Sequence, residues 1–213
     1  MNDIVLKDIS KSFKGTLLFD SINLQIEKGK IYGIIGPNGS GKSVLFKMIS
    51  GFVFPNSGSI SVRGKILGNG KNRFPENIGL VMDEAGFNET KTGYENLSEL
   101  AAINGYISNT QIQETLTKVG LDYKLTQKVK NYSLGMKQKL AIAQAIMENQ
   151  DILILDEPFN ALDEDSLKNI RALFLKLKRE GKTILLTSHN KEDINFLCDH
   201  VYQINNMKLD KIS

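Results

Sequence analysis

The 213 residues of this chain are 41% hydrophobic and 24% charged, a balance that excludes intrinsic disorder and suits one large domain with a substantial core. The 27 basic and 24 acidic residues leave a formal net charge of +3, and no basic tract indicates nucleic acid as a partner. The single cysteine, Cys198, excludes an intramolecular disulfide and a cysteine-ligated metal cluster.

The chain begins with apolar residues that alternate with polar ones, the pattern of half-buried antiparallel strands. Continuous apolar runs come later, at Ile31 to Ile35, Ile152 to Leu155 and Ile184 to Leu186. These runs predict central parallel strands that helices cover on both faces. The alternating positions are Ile4, Leu6, Ile22, Leu24 and Ile26, with Ile60 and Val62 predicting a further strand.

The middle third of the chain has the pattern of helices. Thr92 and Glu95 have the spacing of a capping box ahead of an apolar helical stripe. Thr110 and Gln113 have the same spacing ahead of a second stripe, and Gly120 is a predicted C-terminal stop.

A further helical stripe runs from Leu167 to Leu177 and ends before Gly181. This predicts a crossover helix that leads into the Ile184 strand. The alternation of apolar strands and helices predicts an α/β fold with a mainly parallel central sheet.

Residues 36–43 read GPNGSGKS and match the phosphate-binding pattern G-x-x-x-x-G-K-[ST]. The match directly follows the Ile31 strand and precedes a helix, a context that distinguishes it from an accidental glycine-rich turn. Its glycines let backbone amides converge on a polyphosphate, and the helix N-terminus adds a favourable dipole. We expect Lys42 to hold the β- and γ-phosphates and the Ser43 hydroxyl to bind Mg²⁺. The expected ATP contacts are Gly36, Pro37, Asn38, Gly39, Ser40, Gly41, Lys42, Ser43 and Val44.

Polar residues also follow two other predicted strands. Residues 151–157 read DILILDE, and the paired carboxylates after this apolar strand are costly unless a cation satisfies them. We expect Asp156 to hold Mg²⁺ and Glu157 to act as general base toward the attacking water. His189 follows the third apolar strand; although a lone histidine is often structural, ligands of open α/β sheets bind at this edge, so we expect His189 to reach the γ-phosphate or that water. His200 has no such context and is expected on the surface.

Together with NYSLGMKQKLAIAQA at residues 131–145, these motifs in this order resemble the ATP-binding cassette (ABC) family over essentially the whole chain. The resemblance implies a P-loop NTPase core with an N-terminal antiparallel β subdomain and an inserted α-helical subdomain. It divides the single domain 1–213 into an ATP-binding core at 1–85 and 150–213, a helical subdomain at about 86–131 and a signature segment at 132–149.

The same resemblance implies that Ser133, Gly135 and Met136 contact ATP held by the partner subunit. Ser133 is also a good N-cap, and the N-terminus of the helix that follows favours an anion. A purely structural helix with Leu134 and Met136 in the core fits the same residues. The segment reads YSLGM, whereas the commonest sequence at this place in the family is LSGGQ.

Three more positions take expected roles from the resemblance. Asp163, in NALD at 160–163, matches a loop that crosses the dimer interface, and it is also a candidate helix cap. Phe13 matches the aromatic residue that stacks on adenine, while a place in the core is the alternative. Asp83, in the loop at 78–87, stands where the family usually has a glutamine that contacts Mg²⁺ and water.

The function implied by the resemblance is a Mg²⁺-dependent ATPase subunit of an ABC transporter. Two cassettes, expected as a homodimer, would sandwich ATP and drive separate membrane permease subunits docked on the helical insert. No apolar run reaches the roughly 20 residues that span a bilayer, so the chain is expected to be soluble and peripheral on the cytoplasmic face of the cell membrane. Residues 86–97 and 132–140 are similar to exporters of antibiotic or bacteriocin self-protection.

Other functional classes fit less of the sequence. A soluble ABC ATPase that acts on ribosomes or DNA usually has paired cassettes or a coiled-coil insertion, and this chain has neither. A small-molecule kinase needs a lid over its acceptor and has no use for the YSLGM segment. An inactive regulatory cassette does not need Lys42, Asp156, Glu157 and His189, all of which are present.

Overall fold

Two β-sheets form the framework of the protein. The computed structural model describes residues 2–68, 72–82 and 86–213. In chain order the strands are β1 (Asn2–Phe13), β2 (Thr16–Glu27), β3 (Ile31–Ile35), β4 (Ser57–Val62), β5 (Lys65–Ile66), β6 (Ile78–Val81), β7 (Ile152–Leu155), β8 (Thr183–Leu186), β9 (His200–Asn205) and β10 (Lys208–Lys211). The helices are α1 (Lys42–Ile49), α2 (Gly93–Asn104), α3 (Asn109–Lys118), α4 (Leu134–Ile146), α5 (Glu164–Arg179) and α6 (Lys191–Leu197), with a 3-10 turn at Val129–Asn131.

The smaller sheet has the strand order β2-β1-β4-β5 and is antiparallel. Its register sets Leu6 opposite Leu24 on one side and Ile60 on the other. Because side chains alternate between the two faces of a strand, this register collects the apolar residues on the buried face. The predicted antiparallel strands are confirmed.

The larger sheet has the order β10-β9-β3-β8-β7-β6, and its pairs are parallel except for β10 with β9. The three predicted central strands lie side by side as β3, β8 and β7. Parallel neighbours bring their carboxyl ends to one edge, so the residues that follow these strands meet there. Among the described residues, no helix is long and apolar enough to cross a membrane.

The fully apolar sequence of β7 follows from burial on both faces of the larger sheet. Ile152 and Ile154 pack in the core shared with the antiparallel sheet and α1. Leu153 and Leu155 pack in the core shared with α2, α3, α4 and α5. Burial of each such side chain contributes roughly 1.5–3 kcal/mol. The strand therefore connects two separate cores.

The helix starts that the sequence predicts agree with the structure in all but one case. Thr92 and Glu95 form the predicted capping box of α2. The predicted box at Thr110 is wrong by two residues, because Ser108 caps α3 and Gln111 is its reciprocal partner. Both pairs have the same spacing, and serine is the better N-cap. Gly120 ends this segment with φ +75°, as predicted.

The assignment of residues 78–87 to a loop is wrong for the first four of them. Ile78–Val81 forms β6, which pairs in parallel with β7. Gly79 permits this strand to lie against α4, since a Cβ at that position would come within 1.8 Å of the Ala145 carbonyl oxygen. The glycine that weakens the strand pattern in the sequence is the residue that the packing requires.

The C-terminal hairpin of β9 and β10 has no counterpart among the predicted elements. Its turn uses Asn206 and Met207, both at positive φ, without the glycine that usually marks such a turn. His200, expected on the surface, is half-buried in β9 with its ring 5.1 Å from that of Tyr32. The surface position expected for His200 is wrong, because the sequence pattern does not mark β9 as a strand.

Candidate functional site

The residues predicted to bind phosphate and cation surround one cavity. Its volume is about 630 Å³, and it lies where β3, β7 and β8 end. Most of the expected phosphate-loop residues contribute to its wall, together with the acidic pair and the histidine. The lining residues are Leu18, Asn38, Gly39, Gly41, Lys42, Ser43, Val44, Gln138, Asp156, Glu157, Asn160 and His189.

The loop before α1 is shaped by its glycines. Gly41 is the N-cap of α1 at φ 107°, a conformation that favours glycine. A Cβ there would also lie 2.6 Å from the Phe19 ring. No side chain caps this helix, which leaves its first amides as donors for an anion at the positive end of the helix dipole.

Lys42 lies over the loop that precedes it. Its Nζ donates to the carbonyl oxygens of Gly36 at 2.9 Å and Pro37 at 3.2 Å. Ser40 Oγ is buried and has no hydrogen-bond partner among the described residues. An ammonium and a donor-rich loop on one wall, with an orphaned hydroxyl inside the loop, fit the oxygens of a phosphate chain.

Asp156 and Glu157 are held in place by Thr187, which follows β8. Thr187 Oγ1 donates to Asp156 Oδ1 at 2.6 Å and accepts from Glu157 N at 2.8 Å. On the other side of Glu157, Gln138 Nε2 of α4 donates to the Glu157 carbonyl oxygen at 3.3 Å. The backbone of Glu157 is therefore held on both sides, by Thr187 at its amide and by α4 at its carbonyl.

Glu157 and His189 are in direct contact. The His189 amide donates to Glu157 Oε2 at 3.3 Å, and its Nε2 lies 3.2 Å from Oε1. No hydrogen bond forms at that second contact, and Oε1 is buried without a hydrogen-bond partner among the described residues. Burial raises the pKa of the Glu157 carboxyl, while the adjacent His189 and Lys42 oppose that rise. A half-buried carboxylate with a free acceptor oxygen has the chemistry of a general base.

The donors on the cavity wall also fit a magnesium ion. Asp156 and Ser43 both line the cavity, and they offer a carboxylate and a hydroxyl oxygen, the ligand types that this hard cation prefers. Mg²⁺ is usually bound by one or two such protein groups and completed by phosphate oxygens and water. Asp83, the third expected ligand, lies outside the described residues.

The signature segment starts α4 as the sequence predicts. Ser133 is the N-cap, and its Oγ accepts from the Met136 amide at 3.2 Å. Met136 is half-buried against the core, but Leu134 is 74% exposed. The purely structural alternative with Leu134 in the core is therefore wrong. Gly135 lies so close to the Asn160 to Asp163 loop that a Cβ would come within 2.6 Å of the Ala161 carbonyl oxygen.

Two outlying expected residues are exposed, and neither lines the cavity. Asp163 caps α5, with Oδ1 accepting from the Ser166 amide at 2.8 Å; that contact lowers the pKa of its carboxyl. Phe13 is 46% exposed at the end of β1, with Lys11 Nζ 4.7 Å from its ring centroid. Phe13 is thus not a core residue, and one of its faces is engaged by a cation.

Sequence reasoning missed Leu18, Gln138 and Thr187, and it assigned Asn160, which also lines the cavity, only to the loop after the acidic pair. Leu18 of β2 lines the cavity beside Gly41, and an apolar residue in an alternating strand gives no signal of such a role. Gln138 lies in the segment at 131–145 and Thr187 directly follows the Ile184 strand, but neither residue type by itself indicates a contact with Glu157. Their contacts with Glu157 depend on how α4 and β8 pack, which the motif spacing does not contain.

The site has a phosphate loop opposite an acidic pair and a histidine, and all of them lie at the carboxyl edge of a mainly parallel sheet. This arrangement defines a P-loop nucleoside triphosphatase. Residues 19–160 match the family model described as ABC transporter. The chain belongs to that family, and it is an ATP-binding ATPase subunit of a transporter.

Comparison with known proteins gives relatives of the same kind. The chain is 40% identical over 207 residues to the uncharacterized ABC transporter ATP-binding protein YybJ of Bacillus subtilis (strain 168), covering 97% of this chain and 94% of that protein. It is 38% identical over 197 residues to the bacitracin transport ATP-binding protein BcrA of Enterococcus faecalis, covering 92% of this chain but 64% of that protein. The dimeric post-hydrolysis structure of an ATP-binding cassette bound to ADP and Pi superposes with a TM-score of 0.86 at 25% identity, covering 99% of each chain.

Proposed function

We propose that this subunit binds ATP with Mg²⁺ in the cavity described above and that hydrolysis there energises export through a separate membrane subunit. The observation that carries the proposal is the meeting of Lys42, Asp156, Glu157 and His189 on one cavity. The bound cation would neutralise charge on the phosphates and would take Asp156 and Ser43 as its protein ligands. The ATP contacts are proposed for the loop from Gly36 to Val44, with Phe13 against the adenine.

In the proposed reaction, Glu157 accepts a proton from the water that attacks the γ-phosphate. Oε1 of this residue has a free acceptor site, and burial makes its carboxyl more basic than usual. His189 lies beside the same oxygen and would orient the water or contact the γ-phosphate. Lys42 would hold the β- and γ-phosphates while their charge redistributes, so its role is electrostatic.

We further propose that the active form is a dimer in which each copy completes the other's site. Ser133, Gly135, Met136 and Asp163 would face the partner's ATP. Exposure of Leu134 in the first turn of α4 supports a contact with another chain at this place. The dimeric form of the related cassette bound to ADP and Pi supports the same assembly.

The membrane partner is proposed to dock on the helical subdomain at about 86–131, with the core at 1–85 and 150–213 and the signature segment at 132–149 supplying the ATPase. The subunit would then sit peripherally on the cytoplasmic face of the membrane. A bacitracin transport protein among the relatives supports export of an antibiotic-like peptide. An ancillary role of Asp83 at the cation belongs to the same proposal.

The test of the chemistry is Glu157→Gln in the complete chain. Loss of a general base lowers turnover by about 10²–10⁴-fold, and ATP binding, measured with a fluorescent analogue, is expected to persist. Glu76→Gln, which changes an exposed glutamate paired with Lys65, is the matched control and should keep turnover. Unchanged turnover in Glu157→Gln would remove this residue from the reaction.

The transport role has its own experiment. Tagged Glu157→Gln protein is purified with ATP from detergent-solubilised membranes of cells that natively express this chain. A stoichiometric multi-span membrane protein in the eluate supports the proposal. If the tagged protein is instead recovered with ribosomes or nucleic acid, it acts as a soluble ABC ATPase and the transport role is refuted.

A further inference from the structure

The hydroxyl of Thr187 lies between the two acidic residues of the site. The residue is fully buried, at 0% exposure, and its amide donates to the Leu155 carbonyl oxygen at 3.1 Å. That bond continues the pairing of β8 with β7 one residue past the end of β8. The position of the hydroxyl relative to Asp156 and Glu157 is thus set by the central sheet and not by a surface loop.

The direction of both hydrogen bonds to this hydroxyl follows from elementary chemistry. The Glu157 amide can only donate, so Oγ1 must accept from it at 2.8 Å. The single hydroxyl hydrogen then goes to Asp156 Oδ1 at 2.6 Å. One carboxylate oxygen is committed to Thr187, and the other oxygen of Asp156 is left for a cation.

The backbone of Glu157 is strained, so a hydrogen bond to its amide is especially important. Its φ of 49° is in the left-handed region, which costs a non-glycine residue roughly 1–2 kcal/mol. The Thr187 hydroxyl holds the amide side of this residue, while Gln138 holds its carbonyl. The contacts from two elements offset the cost of the strained backbone.

We propose that Thr187 is a positioning residue that fixes the cation-binding oxygen of Asp156 and the general base Glu157 relative to each other. This inference rests on the proposed function, because it takes Asp156 as a Mg²⁺ ligand and Glu157 as the base. Hydrogen-bonding partners of a metal-binding carboxylate typically change metal affinity or activity by about 10–100-fold when they are removed.

The chain contains a matched control at the start of the strand that Thr187 follows. Thr183, at the other end of β8, is also 0% exposed. Its Oγ1 accepts from the Gly29 amide at 2.9 Å and donates to Asp3 Oδ2 at 2.6 Å. Thr183→Val and Thr187→Val therefore remove the same two kinds of hydrogen bond, and only the second change is at the site.

The experiment measures Mn²⁺ affinity by electron paramagnetic resonance at saturating ATP, with every variant in a Glu157→Gln background. Thr187→Val is expected to weaken Mn²⁺ binding by about 10–100-fold. Thr187→Ser keeps the hydroxyl and should stay close to the parent, as should Thr183→Val. In the chain with native Glu157, Thr187→Val is expected to lower kcat with a smaller effect on the KM for ATP.

Two results would overturn the role of Thr187. The first is parental Mn²⁺ affinity and kcat in Thr187→Val, and the second is an equal loss in Thr183→Val, which would indicate a general structural effect. Asp156→Asn separates these from a failure of the proposed function. If Asp156→Asn also keeps parental Mn²⁺ affinity, the cation assignment itself is wrong; if it loses affinity and Thr187→Val does not, only the positioning role is refuted.

Discussion

A buried ion pair supports the loop that carries His189. Arg171 of α5 donates from Nε and Nη2 to Asp193 Oδ1 of α6 at 2.8 and 2.5 Å. The other oxygen of Asp193 accepts from Ser188 Oγ at 2.9 Å. Asp193 is 1% exposed and Arg171 9% exposed, so water has little access to either charge. We expect this pair to couple the packing of two helices to the position of the neighbouring His189.

The magnitude follows from the burial of both charges. Removal of one partner leaves an uncompensated buried charge, which costs about 3–5 kcal/mol. Arg171→Met should lower the free energy of unfolding by that amount, and Asp193→Leu, which leaves Arg171 its pair with the exposed Glu192, should be at the lower end of that range. For a protein of this size, each kcal/mol corresponds to about 2–4 °C in Tm, so the expected loss is roughly 6–20 °C. The double variant replaces both charges with apolar groups and should lose less than either single variant.

Urea unfolding at pH 7 of the wild type, both single variants and the double variant completes the cycle. Glu192→Gln is the control on the same guanidinium, because Glu192 pairs with Arg171 Nη1 at 3.1 Å but its side chain is 75% exposed; it should cost less than about 1 kcal/mol. Losses that simply add in the double variant would refute the coupling between the two charges.

Two smaller changes test other contacts. Asp151 bonds Arg63 and Lys182, and these partners, Arg63 first, lower the pKa of its carboxyl from 3.8 to about 2. Because the folded-state pKa is the lower one, the stabilisation is present above about pH 4 and is lost as the pH falls toward 2. The Asp151 side chain is more than one third exposed, so solvent screening reduces the contribution of these ion pairs, and Asp151→Asn should lower the free energy of unfolding by about 1 kcal/mol at pH 7. If the difference in unfolding free energy between this variant and the wild type does not shrink between pH 4 and pH 2 in urea titrations, the assignment is contradicted. Gly135→Ala should lower the free energy of unfolding by about 1–3 kcal/mol. The new Cβ would overlap the Ala161 carbonyl oxygen, and this cost is larger than the gain from the better helix propensity of alanine. Leu134→Ala, in the same turn but exposed, serves as its control in thermal unfolding. A stabilised Gly135→Ala would mean that the first turn of α4 is not in contact with the Ala161 loop.

The sequence predicts those features of the site that depend on local chemistry. The loop from Gly36 to Ser43 needs glycines at fixed positions, and the acidic pair follows a strand that is apolar because both its faces are buried. Ser133 and Asp163 cap their helices with side chains that suit no other local role as well. In each case the residue type is dictated by the few residues around it.

The features that were missed depend on distant parts of the chain. Gly79 looks like a strand breaker until the Ala145 carbonyl oxygen beside it is known. The β9–β10 hairpin turns without glycine, and His200 belongs to it. Thr187 is an ordinary residue of a strand end whose role comes from the neighbouring strand β7. Such information is in the tertiary packing and has no local signal.

The division of β7 between two cores has a consequence for mutation and evolution. A shift of this strand by one residue would exchange Ile152 and Ile154 with Leu153 and Leu155, and both cores would receive the wrong side chains at once. The same shift would move Glu157 into the place of Asp156. The apolar residues on the two faces of β7 therefore fix the position of the reactive carboxylates along the strand. A one-residue insertion or deletion in β7 should be far more damaging than any single apolar substitution within it.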